Sequence, residues 1–296
     1  MMATLAGAVA FTSCNNDDEP VTNDKTPVQF AAGIGGNVAT GAPETRAAGT
    51  TWGTGDDIGI FTVTNGTTTP AIDANMQYET TAGDGTFTAI DDANMIYYPG
   101  SGTIDFIAYY PWETGAALGT PIDVEIGTAQ TAATQATFDL LYAKTTAGYT
   151  SASPTTVPLA FDHQLSKLVM NLVAGSGASL SNVSVSIKGM NTKNTFNLST
   201  GALGTTASTP VAITPRTITA NASYDAIILP GSYTTGVSVE ITAGGETYTW
   251  DCGAITFAAG SEHVYTVTLI KDGGVTVTGT INPWTTGTGG NVTAEN

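Results

Sequence analysis

The stretch "PVQFAAGIGGNV", residues 27–38, alternates apolar side chains with small or polar ones. Successive side chains of an extended strand point to opposite faces, so this spacing builds one apolar face. That face consists of Val28, Phe30, Ala32, Ile34 and Val38. The same period of two recurs along the chain in runs bounded by Gly, Pro, Asn and Asp, which predicts an all-β protein.

The composition narrows the class of protein. The chain has 296 residues, enough for two ordinary domains, and a formal net charge of -17 at pH 7. Nucleic acid and anionic membrane surfaces bind clustered Lys and Arg, so this acidic balance argues against both as partners. Charged residues are only 11% of the chain, while hydrophobic residues reach 41%, enough to build cores. A surface solvated by threonine hydroxyls favours an exported β protein over a cytosolic enzyme.

The start of the chain resembles an export signal. "MMATLAGAVAFTSC" is an apolar and small-residue run that ends at Cys14 and is too short to span a bilayer. It resembles a bacterial lipobox, although Phe11 stands where leucine is usual and the positively charged leader is missing. We therefore expect residues 1–13 to be a signal peptide and Cys14 to carry the lipid. Cys252 then remains alone, which leaves no intrachain disulfide.

Turn-forming residues divide the rest of the chain. The stretch at residues 150–158 is the expected boundary between an N-terminal lobe, 47–157, and a C-terminal lobe, 158–296. One segment, "FDHQLSKLVMNLV" at residues 161–173, has apolar residues at helical spacing. We interpret it as a bulged strand that opens the second lobe, because almost nothing else in the chain follows that spacing.

Candidate catalytic and ligand sites are sparse. His163 and His263 each have a neighbouring carboxylate, but neighbours on a strand face opposite ways, so neither pair suggests a metal site or a triad. A secreted hydrolase would need a convergent acid/base site, and we find none in the sequence. The main rival function is a monomeric surface lipoprotein that binds glycans on stacking platforms formed by Trp52, Trp112 or Trp284. We expect no cofactor and no enzymatic activity.

Several segments, taken in order, resemble the fimbrillins of the Bacteroidetes, the subunits of type V pili. They are the lipobox at Cys14, "TRAAGTTWGTGDDIGIF", "YYPGSGTIDFIAYYPW", "FDHQLSKLVMNL", "NTFNLSTGAL" and "INPWTTGTGG". The resemblance implies two tandem transthyretin-like β-sandwich lobes and export as an outer-membrane lipoprotein. It also implies that an arginine-specific protease cuts after Arg46, so that Ala47 becomes the first residue and segment 14–46 is a removable propeptide.

A physical reason for such a cut lies in the two ends of the chain. The strand before Arg46 should complete the core of the first lobe through Val28, Phe30, Ala32 and Ile34. Its removal would open a groove between unpaired strand edges, which are templates for pairing with another chain. The tail "GVTVTGTI", residues 274–281, has a matching face and should fill the groove of a neighbouring copy or of a related fimbrillin, head to tail. The face of this donor strand consists of Val275, Val277, Gly279 and Ile281. A shaft subunit needs both a removable strand and a free tail strand, so a shaft role is favoured.

Overall fold

The regular secondary structure of the described residues is almost all β-strand, which confirms the all-β prediction. The computed structural model describes residues 25–35, 37–38, 49, 51–205, 209–284 and 293–294. Helix within these ranges is limited to a 3₁₀ turn at Asp92–Asn94 and the short α1 at Ala132–Gln135. None of the helices in these ranges is long and apolar enough to cross a membrane.

The first part of the chain forms one large sheet. Its strands are β1 (Phe30–Ile34), β2 (Asn37–Val38), β3 (Asp56–Thr64), β4 (Met76–Thr80), β5 (Thr86–Ala89), β6 (Ile104–Tyr110), β8 (Leu141–Lys144) and β9 (Val157–His163), while β7 (Ile122–Glu125) lies outside it. The spatial order is β2-β1-β5-β4-β3-β6-β8-β9, and β1 pairs in addition with β9. The sheet therefore closes on itself through β1.

Strands β3 and β6 are buried on both faces, because each separates two hydrophobic cores. Ile58 and Ile60 of β3 face the core of the first sheet. Phe61 and Val63, on the other side of the same strand, belong to the core of the second half of the chain. A strand that is apolar on both sides loses the simple alternation of a half-buried strand.

The second half of the chain contains the remaining strands of the described ranges. They are β10 (Ser166–Ala174), β11 (Ser184–Lys188), β12 (Lys193–Asn197), β13 (Ala202–Leu203), β14 (Arg216–Thr219), β15 (Ser223–Ile228), β16 (Gly231–Tyr233), β17 (Ser238–Ala243), β18 (Glu246–Asp251), β19 (Ile255–Phe257), β20 (Ser261–Ile270), β21 (Gly274–Pro283) and β22 (Thr293–Ala294). A six-stranded sheet, β14-β15-β10-β20-β21-β22, and a three-stranded sheet, β11-β17-β18, bury their apolar residues in one core. Strand β7 pairs with β12 and so links the two halves.

The change from the first sheet to the second falls later than the expected boundary at residues 157 and 158. Strand β9 still belongs to the first sheet, since it pairs with β8 and β1. The turn-rich stretch before it is a loop between two strands of one sheet. The segment at residues 161–173 is likewise two strands rather than one bulged strand: it holds the end of β9 and most of β10, separated at Gln164 and Leu165. The helix-like spacing begins at Leu165, inside this break, and continues through Leu168, Val169 and Leu172 of β10.

The first predicted strand also ends earlier than its pattern suggests. The chain turns at Gly35, whose φ of 66° is a left-handed conformation that glycine adopts without strain. Strand β2 then runs back along β1, with Val38 opposite Gly33. The continuous apolar face therefore extends from Val28 to Ile34.

Candidate functional site

Strand β1 fills the core of the first sheet. The side chains of Phe30, Ala32 and Ile34, and of Val28 two residues before the strand, are all buried, with exposed fractions of 5% or less. The ring of Phe30 lies edge-on against Tyr78 and Phe106, with both centroid distances 5.1 Å. Their alternation in the sequence thus predicts the buried face correctly.

Backbone hydrogen bonds hold β1 on both sides. On one side it pairs antiparallel with β5, where the amide of Ala32 donates to the carbonyl of Gly85 at 2.7 Å. On the other side it runs parallel to β9, from Phe30 opposite Val157 to Ile34 opposite Phe161. Without β1, both β5 and β9 would present an unpaired edge over an apolar core.

Trp52 covers the middle of β1. Its indole Nε1 donates to the carbonyl of Ala32 at 3.0 Å, and its ring is 1% exposed. Three aromatic rings pack edge-on against the indole: Phe87 at 5.0 Å, Phe161 at 5.1 Å and Tyr110 at 5.7 Å. The indole is thus held in place beside the smallest side chain of the strand face.

The tail strand β21 is paired, not free as the sequence suggests. It runs antiparallel to β20 along its full length, from Gly274 opposite Ile270 to Pro283 opposite Ser261. The predicted alternation of burial holds in its first part, where Val275 and Val277 are half-buried against the second core and Thr276 and Thr278 are exposed. It is lost beyond Gly279, where Thr280 is half-buried. Ile281 is 39% exposed, so this strand is buried less deeply than β1.

Two contacts that sequence reasoning missed hold the tail in place. The Tyr265 ring lies directly over Gly279, where an added Cβ would come within 2.4 Å of two ring carbons. At the end of β21 the Trp284 ring stacks on His163, with centroids 3.8 Å apart and planes at 2°. The Lys167 ammonium lies 5.7 Å from the Trp284 ring. No local sequence pattern predicts these contacts, because each partner lies on another strand.

His163 also binds the chain just after the predicted cleavage site. Its Nδ1 lies 3.0 Å from the buried carboxylate of Asp139, and its Nε2 lies 2.8 Å from the carbonyl oxygen of Gly49. The neighbouring Asp162 faces solvent instead, as strand alternation predicts. His163 therefore contacts both the segment that follows Arg46 and Trp284, the residue just after the tail strand.

The other histidine is a separate core residue. His263 is fully buried, and its Nε2 accepts a hydrogen bond from the amide of Ala258 at 3.1 Å. Burial lowers the pKa of this imidazole, because a charged ring would lose its hydration. No cluster of three or more His, Cys, Asp or Glu side chains within the described ranges could hold a metal ion.

Two of the three tryptophans proposed as glycan platforms are buried instead of exposed. Trp52 and Trp284 are only 1% and 5% exposed, so neither offers a ring face to a ligand. Both pack between strands, which the sequence alone could not show. Trp112 is half-buried, with its Nε1 3.4 Å from the carbonyl oxygen of Asn75. Cys14, Arg46 and Ala47 lie outside the described residues, so lipidation and cleavage there stay predictions.

Three comparisons with known proteins agree on the family of this chain. The fimbrillin-like family model matches residues 45–284. Fimbrium subunit Fim1C of Bacteroides uniformis is 32% identical over 314 residues, covering 100% of this chain and 98% of the relative. A crystal structure of a cell adhesion protein from the same species has a TM-score of 0.72 at 31% identity, over 88% of this chain and 99% of that one.

Two further solved structures share the fold. A cell adhesion protein from Bacteroides ovatus has a TM-score of 0.69 at 26% identity, over 89% of this chain and 99% of that one. The tip fimbrial protein Mfa3 of Porphyromonas gingivalis, at 11% identity and a TM-score of 0.51, shows likeness of fold alone over 87% of this chain and 100% of that one. The match of the family model, which spans most of the chain, and the full-length relative agree: the chain belongs to the fimbrillin-like family of fimbrial subunits.

Proposed function

We propose that the chain is a shaft subunit of a type V fimbria, polymerised by protease-triggered strand exchange and serving adhesion at the cell surface. The observation that carries this proposal is the position of β1. It closes the first sheet between β5 and β9, and the chain leaves it toward the segment that contains Arg46. Cleavage after Arg46 would cut the covalent link between β1 and the body of the subunit.

The burial of β1 determines how strongly the vacated groove would bind another strand. Fully burying one large apolar side chain is worth about 1.5–3 kcal/mol, so Val28, Phe30 and Ile34 together contribute roughly 5–9 kcal/mol before ordering costs. The backbone hydrogen bonds on both sides add to this. A groove vacated by β1 would be a strong acceptor for another strand with the same pattern of side chains.

The covalent link should keep the uncleaved protein monomeric. While residues 35–51 connect β1 to the subunit, the strand is an intramolecular ligand of high effective concentration, which excludes a competitor from another molecule. Cleavage removes that advantage. The tail strand of a second copy then competes for the groove, and repetition of this head-to-tail contact builds a filament.

The tail must first leave its own sheet. Strand β21 makes its main pairing with β20, and two of its four face residues are half-buried valines. This resting place buries less apolar surface than the groove does, so transfer from β20 to a vacated groove is favourable. The paired tail is thus compatible with a donor role, and the resting contact keeps the strand covered before assembly.

The proposal includes a route by which the subunit reaches the cell surface. The precursor is exported through its signal peptide, lipidated on Cys14 and held at the outer membrane until an arginine-specific protease releases it. The mature subunit then has two transthyretin-like lobes and acts by assembly, without enzymatic activity. Mass spectrometry of the membrane form should find a diacylglyceryl-modified Cys14, and an unmodified peptide of residues 1–13 as the main N-terminus would contradict this step.

The assembly step is tested by blocking the cut. Arg46→Ala should be exported and folded yet remain monomeric, while Thr45→Ala, one residue away, should be cleaved and assemble like the parent. The readout is laddering in SDS gels without heating, after identical treatment with an arginine-specific protease. Filaments formed by uncleaved Arg46→Ala would refute the mechanism. Monomers from the fully cleaved parent would instead favour the glycan-binding alternative.

A further inference from the structure

The strand that leaves the groove and the strand proposed to enter it follow the same order of apolar residues, and they differ much in size only at the second place, where Val277 would replace Phe30. Each has seven residues from the first to the last position of its apolar face, Val28 to Ile34 and Val275 to Ile281. Both faces begin with valine, end with isoleucine and have their smallest residue in third place. The matching positions are Val28 with Val275, Phe30 with Val277, Ala32 with Gly279 and Ile34 with Ile281.

The groove is built for that order of sizes. The second place is the wide one, because the Phe30 ring lies between Tyr78 and Phe106. The third place is narrow: Ala32 is 1% exposed, and Trp52 is hydrogen-bonded to its carbonyl. Ala32 is enclosed in the close-packed first core, so the third place accepts a hydrogen atom or a methyl group but resists a larger side chain.

The direction of insertion follows from these two places. A strand entering in reverse would put Gly279 where Phe30 lies, leaving a void, and Val277 where Ala32 lies, overfilling it. Entry in the direction of β1 puts the valine in the wide place and the glycine in the narrow one. Close-packed interiors discriminate strongly between such alternatives.

We propose that the tail of a second copy enters parallel to β9 and antiparallel to β5, with Gly279 at the position of Ala32. This assignment rests on the proposed function and adds the direction and the register of the inserted strand. Gly279 is the residue that sets this register, because a slip of two residues in either direction would bring Val277 or Ile281 to the narrow place of Ala32.

The register predicts which residues of the tail and of β9 lie opposite each other on the face away from the core. Gly33 lies opposite Ala160 of β9; Ala160 is exposed, whereas Gly33 is buried. In the proposed register Thr280 takes the place of Gly33. Thr278 would lie two residues and Thr276 four residues farther along the strand, about 7 and 13 Å away at roughly 3.3 Å per residue.

Disulfide trapping tests the register directly. One batch of subunits carries Ala160→Cys, and three others carry Thr276→Cys, Thr278→Cys or Thr280→Cys. Each donor batch is mixed with the acceptor batch, cleaved after Arg46 and oxidised. Disulfides form when Cα atoms lie within about 4.4–6.8 Å, which neighbouring strands satisfy only for residues directly opposite. Cys252 is buried and does not compete.

A matched control checks the geometry of the acceptor cysteine. In uncleaved protein with Cys14→Ser, the pair Gly33→Cys and Ala160→Cys should close within one chain, because these residues already face each other. This reaction shows that Ala160→Cys is accessible and correctly oriented.

We expect the mixed disulfide to form severalfold more with Thr280→Cys than with either other donor. A dominant product with Thr276→Cys would overturn the proposed direction, since that residue faces Ala160 in the reversed strand. A dominant product with Thr278→Cys would overturn the register, and so would polymers without any mixed disulfide. Absence of polymers from every cleaved mixture would instead overturn the proposed function itself.

Discussion

Adding one methyl group to the tail strand should promote assembly. In the resting subunit a Cβ on Gly279 would lie 2.4 Å from two ring carbons of Tyr265, so the ring would have to move. In the groove the corresponding place already holds the methyl group of Ala32. Gly279→Ala therefore disfavours the resting position of the tail while leaving the proposed acceptor position well filled.

Gly279→Ala changes the free energy of the tail both at its resting position and in the acceptor groove. Overfilling a packed contact costs about 1–3 kcal/mol, which applies to the resting position under Tyr265. Filling the acceptor place with a methyl group gains about 0.8 kcal/mol. The sum of roughly 2–4 kcal/mol favours the exchanged state by between tenfold and a thousandfold, at about 1.4 kcal/mol per factor of ten.

A larger side chain at residue 279 distinguishes better filling of the acceptor groove from a general loosening of the tail. Gly279→Val also disfavours the resting position but overfills the narrow place beside Trp52, so it should assemble less than Gly279→Ala. The assay is the rate of laddering after cleavage at equal protein concentration, with folding verified by thermal unfolding of each uncleaved precursor. Assembly of Gly279→Ala no faster than the parent, or of Gly279→Val as fast as Gly279→Ala, would refute the argument.

The other predictions concern charge on the tail and the buried histidine. Val277→Asp should reduce assembly strongly, because a carboxylate would lose its hydration in the groove, whereas Thr278→Asp on the exposed face should cost little; equal laddering by both would contradict the assigned face. Burial lowers the pKa of His263 below its ordinary value of 6.5, so the unfolded chain binds more protons as pH falls through that range. The free energy of unfolding should therefore decrease below about pH 6.5, and His263→Gln should decrease less; parallel curves from urea titrations would contradict this.

The sequence by itself determined the features that depend on neighbouring residues. Alternation along residues 28–34 and 275–281 identified two strands and their apolar faces, because side-chain direction in a strand has a period of two. Composition and the order of segments such as "TRAAGTTWGTGDDIGIF" indicated an exported fimbrillin. The prediction of one bulged strand at residues 161–173 was wrong, because two strands of different sheets follow one another there with only two residues between them.

Only the tertiary structure decided which strands meet. That β1 lies between β5 and β9 depends on partners up to about 130 residues away, and no local pattern encodes such pairing. The pairing of the tail with β20 and the Tyr265 ring over Gly279 have the same origin. Trp52 and Trp284 could serve a ligand or a core on sequence grounds, and packing placed both inside. Burial is a property of the assembled sheets, because a side chain loses its contact with water only when distant strands close over it.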